Sequence, residues 1–224
     1  MSDRHRSADD TFPGERDIEA WVLGWTRTRE TLPPTRHDGF FHVQVGELRQ
    51  QARYIMTTPD YARVRALISR IHDPHVYIKL FEPIAVVASL LPDNWQLDPQ
   101  AHLMATTLSS ASLTQALPPG YRMQTTRHEL FTGLEIETCH GELAASGRLA
   151  LAHDYAIFDQ IETHKDHQRR GLGRYVMQAL GHIAREQGAR RAILGATEEG
   201  RALYDHLGWT VLSPLTSIAM KMES

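Results

Sequence analysis

A chain of 224 residues can bury a sizeable core, as one large domain or two small ones. An ordinary composition and a net charge of −3 exclude a global pull toward nucleic acid or an anionic membrane. The single cysteine, Cys139, excludes an internal disulfide framework and suits a reducing cytoplasm.

No apolar run approaches the length of a membrane span; the longest, Ile84 to Val87, is short. The opening MSDRHRSADD lacks the apolar region of a signal peptide and is expected to be a disordered tail over residues 1–16. Ile18, Trp21, Val22 and Trp25 then recur at helical spacing, with Asp17 as the N-cap, and Leu32-Pro33-Pro34 ends that helix. Phe41, Val43 and Val45 alternate with polar residues as a strand, and Arg53 to Thr57 reads as a second. Thr58-Pro59 starts a helix whose apolar face is Tyr61, Val64, Ile68 and Ile71. Val76 to Leu80 is a strand, Pro83 to Leu91 a short helix, and His102 to Thr107 a further strand.

Ser109 to Gly120 reads as a linker with a short helix. Tyr121 to Thr126, Leu134 to Thr138 and Leu143 to Leu151 are three strands, with a tight turn at His140-Gly141. His153-Asp154 turns into Tyr155 to Thr163, a strand rich in Ile, Phe, Tyr and Thr. From Gly171 the residues Leu172, Val176, Leu180 and Ile183 make a helical stripe that Gly188 stops. A short strand, Ala192 to Leu194, precedes a helix from Thr197. Two closing strands are expected at Trp209 to Leu212 and Thr216 to Met220.

Gln168-Arg169-Arg170-Gly171-Leu172-Gly173-Arg174 lies between a strand and a helix start. The first backbone N–H groups of a helix have no intrahelical partner, and its dipole adds partial positive charge there. Glycines let a phosphate approach the main chain, and Arg169, Arg170 and Arg174 add mobile cations. The pattern points to an anion cradle suited to a pyrophosphate. A Rossmann site would want a third glycine where Val176 stands, and a P-loop would want Lys-Ser/Thr where Arg174-Tyr175 stands.

The run resembles motif A of the GNAT superfamily of acyl-CoA-dependent N-acyltransferases, Q/R-x-x-G-x-G/A. Leu203-Tyr204-Asp205-His206-Leu207-Gly208-Trp209 resembles the family's "LYxxLGF/W" ending. The close resemblance covers about residues 132 to 222. It implies a mixed α/β fold with a largely antiparallel sheet flanked by helices. The core would span 111–224, preceded by an N-terminal α/β lobe at 17–110. That lobe is read either as an acceptor-site lobe or as a degenerate second acyltransferase half; no sequence repeat selects between them.

The resemblance further implies acetyl-CoA as co-substrate, with its pyrophosphate on the N–H groups of residues 169–174, including Leu172, its pantetheine near Ile161 and Thr163, and Gln168 among the cofactor-binding residues. Tyr204 takes the position of the family's general acid. Thr197 stands where the family often has Asn, and Thr can cap the helix. Ile157 stands where the histone-modifying branch has its glutamate base. Asp159, of the same strand parity if no bulge intervenes, is the candidate base, with Glu162 next.

His164 and His167, like His72 and His75, are three apart with no third ligand placed, so no metal is expected. The expected activity is N-acetylation of a primary amine, on a small molecule or a protein N-terminus, by direct attack. The alternative is a non-catalytic acyl-CoA-binding sensor. A cytoplasmic monomer or homodimer without nucleic-acid or membrane partners is expected.

Overall fold

Ile18, Trp21, Val22 and Trp25 do form one buried face, on α1 (Glu15–Thr28), in the computed structural model, which describes residues 13–108 and 116–222. The helix starts earlier than Asp17, so Glu15 and Arg16 belong to α1 rather than to the tail, with Gly14 at its N-cap; residues 1–12 of the expected tail lie outside the described residues. Asp17 does not cap. Its carboxylate is taken by tertiary partners, accepting from the Tyr155 hydroxyl at 2.9 Å and Arg191 at 3.2 Å.

The first half contributes β1 (Thr35–His37), β2 (Phe40–Glu47), β3 (Gln50–Met56), α2 (Tyr61–Ile68), β4 (Val76–Leu80), α3 (Ile84–Ala88), β5 (Trp95–Leu97) and β6 (Ala101–Thr107). The second contributes β7 (Tyr121–Arg127), β8 (Thr132–Thr138), β9 (Leu143–Ala152), β10 (Tyr155–Thr163), α4 (Leu172–Glu186), β11 (Arg191–Thr197), α5 (Glu198–His206) and β12 (Thr210–Met220). The linker helix expected near residue 110 falls largely on 109–115, outside the described residues. Pro59 precedes α2 rather than opening it, because Asp60 is the cap and accepts from the Arg63 N–H at 3.0 Å. No helix among the described residues is long and apolar enough to cross a membrane.

The strands join one sheet in the order β1-β2-β3-β4-β12-β6-β11-β10-β9-β8-β7, with β5 also on β12. Only β3–β4 and β10–β11 pair parallel; the other described pairs are antiparallel. The fold is thus a mixed α/β architecture with a largely antiparallel sheet flanked by helices. The two expected closing strands are one, β12, because a register shift at Leu212 lets Ser213, Pro214 and Leu215 stay paired with β6 before the strand passes onto β4 at Thr216.

The sheet curls around α1. From β1 to β10 is seven strand spacings, roughly 34 Å if flat at ~4.8 Å each. Yet Arg36 of β1 donates to Glu19 of α1, and Tyr155 of β10 donates to Asp17 of the same helix. One core therefore lies in the concave trough, where α1 meets Phe41, Val43, Ile55, Phe81, Leu103 and Ile157. On the convex side α4 and α5 cover the second half, and α2 and α3 the first.

Candidate functional site

Along the middle of the sheet, β10 and β11 are parallel neighbours only from Tyr155↔Arg191 to Phe158↔Leu194. Beyond that they part. On its far side β11 stays paired with β6 as far as Thr197↔Ala101. β10 instead bulges, since Asp159 pairs with Arg148 but Glu162 with Ser146. Gln160 takes a left-handed φ of 53° there, rare for a non-glycine residue and a mark of a site held by its surroundings. The parting leaves main-chain groups of residues 159–163 without a β11 partner, an edge an extended ligand can pair with.

The bulge also exchanges faces. Before it, Ile157 packs into the trough so closely that a Cβ on Gly24 of α1 would collide with it, while Phe158 faces α5. After it, Ile161 packs with α4 over Gly147. Asp159 therefore lies on the trough side, as its parity with Ile157 requires. Alternation sends Glu162, opposite to Ile161, to that side too.

A cleft of about 450 Å³ fills the parting, lined among others by Phe158, Asp159, Thr163, Gly173, Gly195 and Tyr204. Ile161, Glu162, Gln168 and Thr197 line it as well. Its convex end is the start of α4. Gly171 caps that helix at φ 80°, a backbone for which only glycine is free of strain, and among the described residues no side chain caps the first N–H groups. Gly173 is a tight spot for a side chain: a Cβ would lie 3.3 Å from both Leu203 Cδ2 and Thr163 Oγ1, so both would have to give way slightly. Leu172 is buried and anchors the turn.

The arginines differ. Arg170 is tied down, donating to the Tyr121 hydroxyl at 2.8 Å and to the Asp166 carbonyl at 3.0 Å, while Tyr121 also meets His167 at 2.9 Å. Arg169 and Arg174 are exposed beside the helix start. Gln168 reaches back to the Thr163 carbonyl at 3.4 Å, and Thr197 caps α5 by accepting from the Gly200 N–H at 3.1 Å. Glu198 in that first turn bonds buried His102 of β6, which holds the carboxyl below its usual range.

Tyr204 on α5 and Asp159 on β10 face the cleft from opposite sides of the sheet. Tyr204 is buried against Trp209, which also packs on Phe158. Burial, and secondly the charge of Asp159, push its hydroxyl up to about 12, so it stays protonated. Asp159 accepts at Oδ2 from Thr28 Oγ1 at 3.1 Å and Arg29 Nε at 2.8 Å. Arg148 in turn holds the Thr28 carbonyl at 2.6 Å. Thr28 and Arg29 were not singled out from the sequence, since no spacing signal joins residues about 130 apart. Among the described residues no group of three or more His, Cys, Asp or Glu is placed to hold a metal.

Residues 101–209 match the family model of the acetyltransferase (GNAT) family. No curated protein matches the chain by sequence. Among solved structures, the chain is similar to a GCN5-related N-acetyltransferase from Kribbella flavida, at TM-score 0.69 and 15% identity over 94% of this chain and 96% of that one. A GCN5-related N-acetyltransferase from Sphaerobacter thermophilus aligns at TM-score 0.60 and 12% identity, over 81% of this chain and 76% of the other. A tandem GNAT protein from the clavulanic acid biosynthesis pathway aligns at 0.56 and 16%, over 83% and 79%. At these identities the structural likeness establishes a shared fold.

Proposed function

We propose, from the GNAT-family domain that residues 101–209 form, that this protein transfers an acyl group from acyl-CoA, in the first instance acetyl-CoA, to a primary amine. The observation that carries the reading is the parting of β10 and β11 above an uncapped, glycine-entered helix, with a protonated tyrosine on its wall. The fit is chemical as well as spatial. The N–H groups of residues 172–174 suit a pyrophosphate, the freed edge of 160–163 suits an amide-bearing pantetheine chain, and glycine at 173 and 195 keeps the cleft clear.

Bound acyl-CoA supplies an acyl group activated as a thioester. In balance, a C–N bond forms, the C–S bond breaks, and one amine proton ends on sulfur or in water. An amine acceptor is mostly protonated at neutral pH and must first lose a proton. Asp159 and Glu162 are the carboxylates on the trough side able to take it, Asp159 while held in place by Thr28 and Arg29. Tyr204 offers its proton from the α5 side. Thiols ionise near ~8.5, so complete transfer from a group held near 12 is uphill by roughly 3 units. Its main contribution is then a hydrogen bond that strengthens as negative charge builds on sulfur.

Calorimetric titration with acetyl-CoA, followed by measurement of CoA release with a panel of amines, tests this reading. Absence of acetyl-CoA binding would sink it. The commitment of Asp159 to Arg29 favours one other reading, a non-catalytic acyl-CoA-binding sensor. Tight acetyl-CoA binding with no CoA release against any amine would select that reading.

A further inference from the structure

The C-terminal end of α1 stops at the mouth of the trough, beside Asp159. On the opposite wall the strands of the first half carry a second set of polar groups on the same trough face. Arg53 of β3 and Lys79 of β4 alternate with Tyr54, Ile78 and Leu80, which pack on the convex side, so both cations face the trough. Arg53 lies with its guanidinium carbon 3.9 Å from the ring centre of Trp25, and Arg29 lies 5.2 Å from the same ring. The wall groups and Asp159 are thus neighbours across a single indole. Lys79 donates to Ser217 of β12, its register partner.

The cations are not evenly answered. Arg29 has Asp159. Neither Arg53 nor Lys79 forms an ion pair with a described carboxylate. Asp98 acts on Lys79 only from a distance, as Glu47 and Asp159 do on Arg53. The Arg53 side chain bonds Gln50, yet its Nε is buried with no hydrogen-bond partner. Burial, then the charge of Arg53, pulls Lys79 down to about 7, and burial, then Arg29, pulls Arg53 down to about 10. A cation taken from water without a partner is costly, and an orphaned donor beside it adds to that cost. A bound anion would relieve both.

Resting on the acyltransferase reading, we propose that Arg53 and Lys79 receive an anionic group on the acceptor. The substrate class is then a small amine that also carries a carboxylate or a phosphate, its anion on the β3–β4 wall and its amine toward Asp159 and the cleft. Arg53 suits a planar or tetrahedral oxyanion through its forked donors, and Lys79 supplies a point charge beside it. The first half of the chain would in this way set acceptor specificity, while the second half holds the donor.

Matched acceptors test this on the full-length protein. 4-Aminobutyrate against butylamine gives the carboxylate arm, and 2-aminoethyl phosphate against ethanolamine gives the phosphate arm, each titrated calorimetrically with saturating CoA present. At least one acid-bearing amine is expected to bind tenfold or more tighter than its neutral counterpart, and the arm showing it identifies the anion. In Arg53→Gln the ratio should collapse toward one, with Lys79→Met as a second variant should the first fail to fold. Equal binding within both pairs, no detectable binding of either acid-bearing amine, or a preference that survives both substitutions would overturn the proposal. Failure of the underlying reading shows separately, as absence of acetyl-CoA binding in a prior titration; the matched pairs then remain readable without CoA.

Discussion

The units β3-α2-β4 and β10-α4-β11 are built alike and end differently. In each, two parallel strands pair over a short register, Ala52↔Val76 to Ile55↔Lys79 and Tyr155↔Arg191 to Phe158↔Leu194, and the linking helix lies on the convex face. α2 is 8 residues long and caps its own N-terminus, because the Asp60 carboxylate accepts from one N–H of the first turn. Arg63 of that turn is folded onto Asp38. α4 is 15 residues long and enters through Gly171 with no side-chain cap. Topology alone therefore does not make an anion site. What makes one is a helix start whose donors are left free and whose approach carries no side chain; a built-in carboxylate fills the same role against a ligand.

The units also depend on each other. β6, the last strand of the first half, lies against the whole of β11, while β12, the last of the second, runs from β6 onto β4. The largest expected effect follows from this exchange. A fragment of residues 111–224 keeps every residue of the cradle but strips β11 of its antiparallel partner and the trough of α1. It should show no cooperative thermal unfolding, and a fragment that melts cooperatively and binds acetyl-CoA would make the second half self-sufficient.

Next in size is Tyr204→Phe, which keeps the ring and removes the donor. Acetyl-CoA affinity should persist while turnover falls by roughly 10²-fold where chemistry limits the rate. The same variant sharpens the electrostatics. A folded-state value near 12, above the unfolded ~10, means stability that is complete below pH ~10 and is lost as pH rises toward 12. Denaturant midpoints should show wild type losing stability over that window relative to the Phe variant; parallel curves would mean the phenol is not so held.

Substitution at the two helix starts tests the comparison directly. Gly173→Glu places bulk and negative charge in the cradle and should weaken acetyl-CoA by well over tenfold, above about 1.4 kcal/mol, measured by calorimetry on folded protein. Asp60→Ala at the corresponding start of α2 should cost about 1 kcal/mol of stability by chemical denaturation and leave acetyl-CoA affinity untouched. Loss of affinity in Asp60→Ala would mean that the first unit is not closed to the donor.

Much of the second half was legible because its signals are local. Gly171, Gly173 and the four-residue stripe of α4 lie within one segment, and Leu203 to Trp209 is contiguous, so strand, turn and helix are specified by neighbours. Thr197 as a cap is equally local. The bulge at Gln160 carried no such mark, since glutamine in a left-handed turn is imposed by pairing with β9.

Residue chemistry and spacing by themselves determined the alternation of elements around the cradle and the helix entered by glycine, while the candidate acid and base at Tyr204 and Asp159 came from the family resemblance. Only the tertiary structure decided that β6 and β12 close each other's units, that α1 lies inside a curled sheet, and that Arg29 reaches Asp159 across about 130 residues. A capped helix start is stabilised by residues a few positions apart and so leaves its pattern in the chain. Strand exchange and a distant ion pair draw their free energy from contacts that exist only after the chain has folded back on itself, and an apolar strand reads the same whichever partner it will meet.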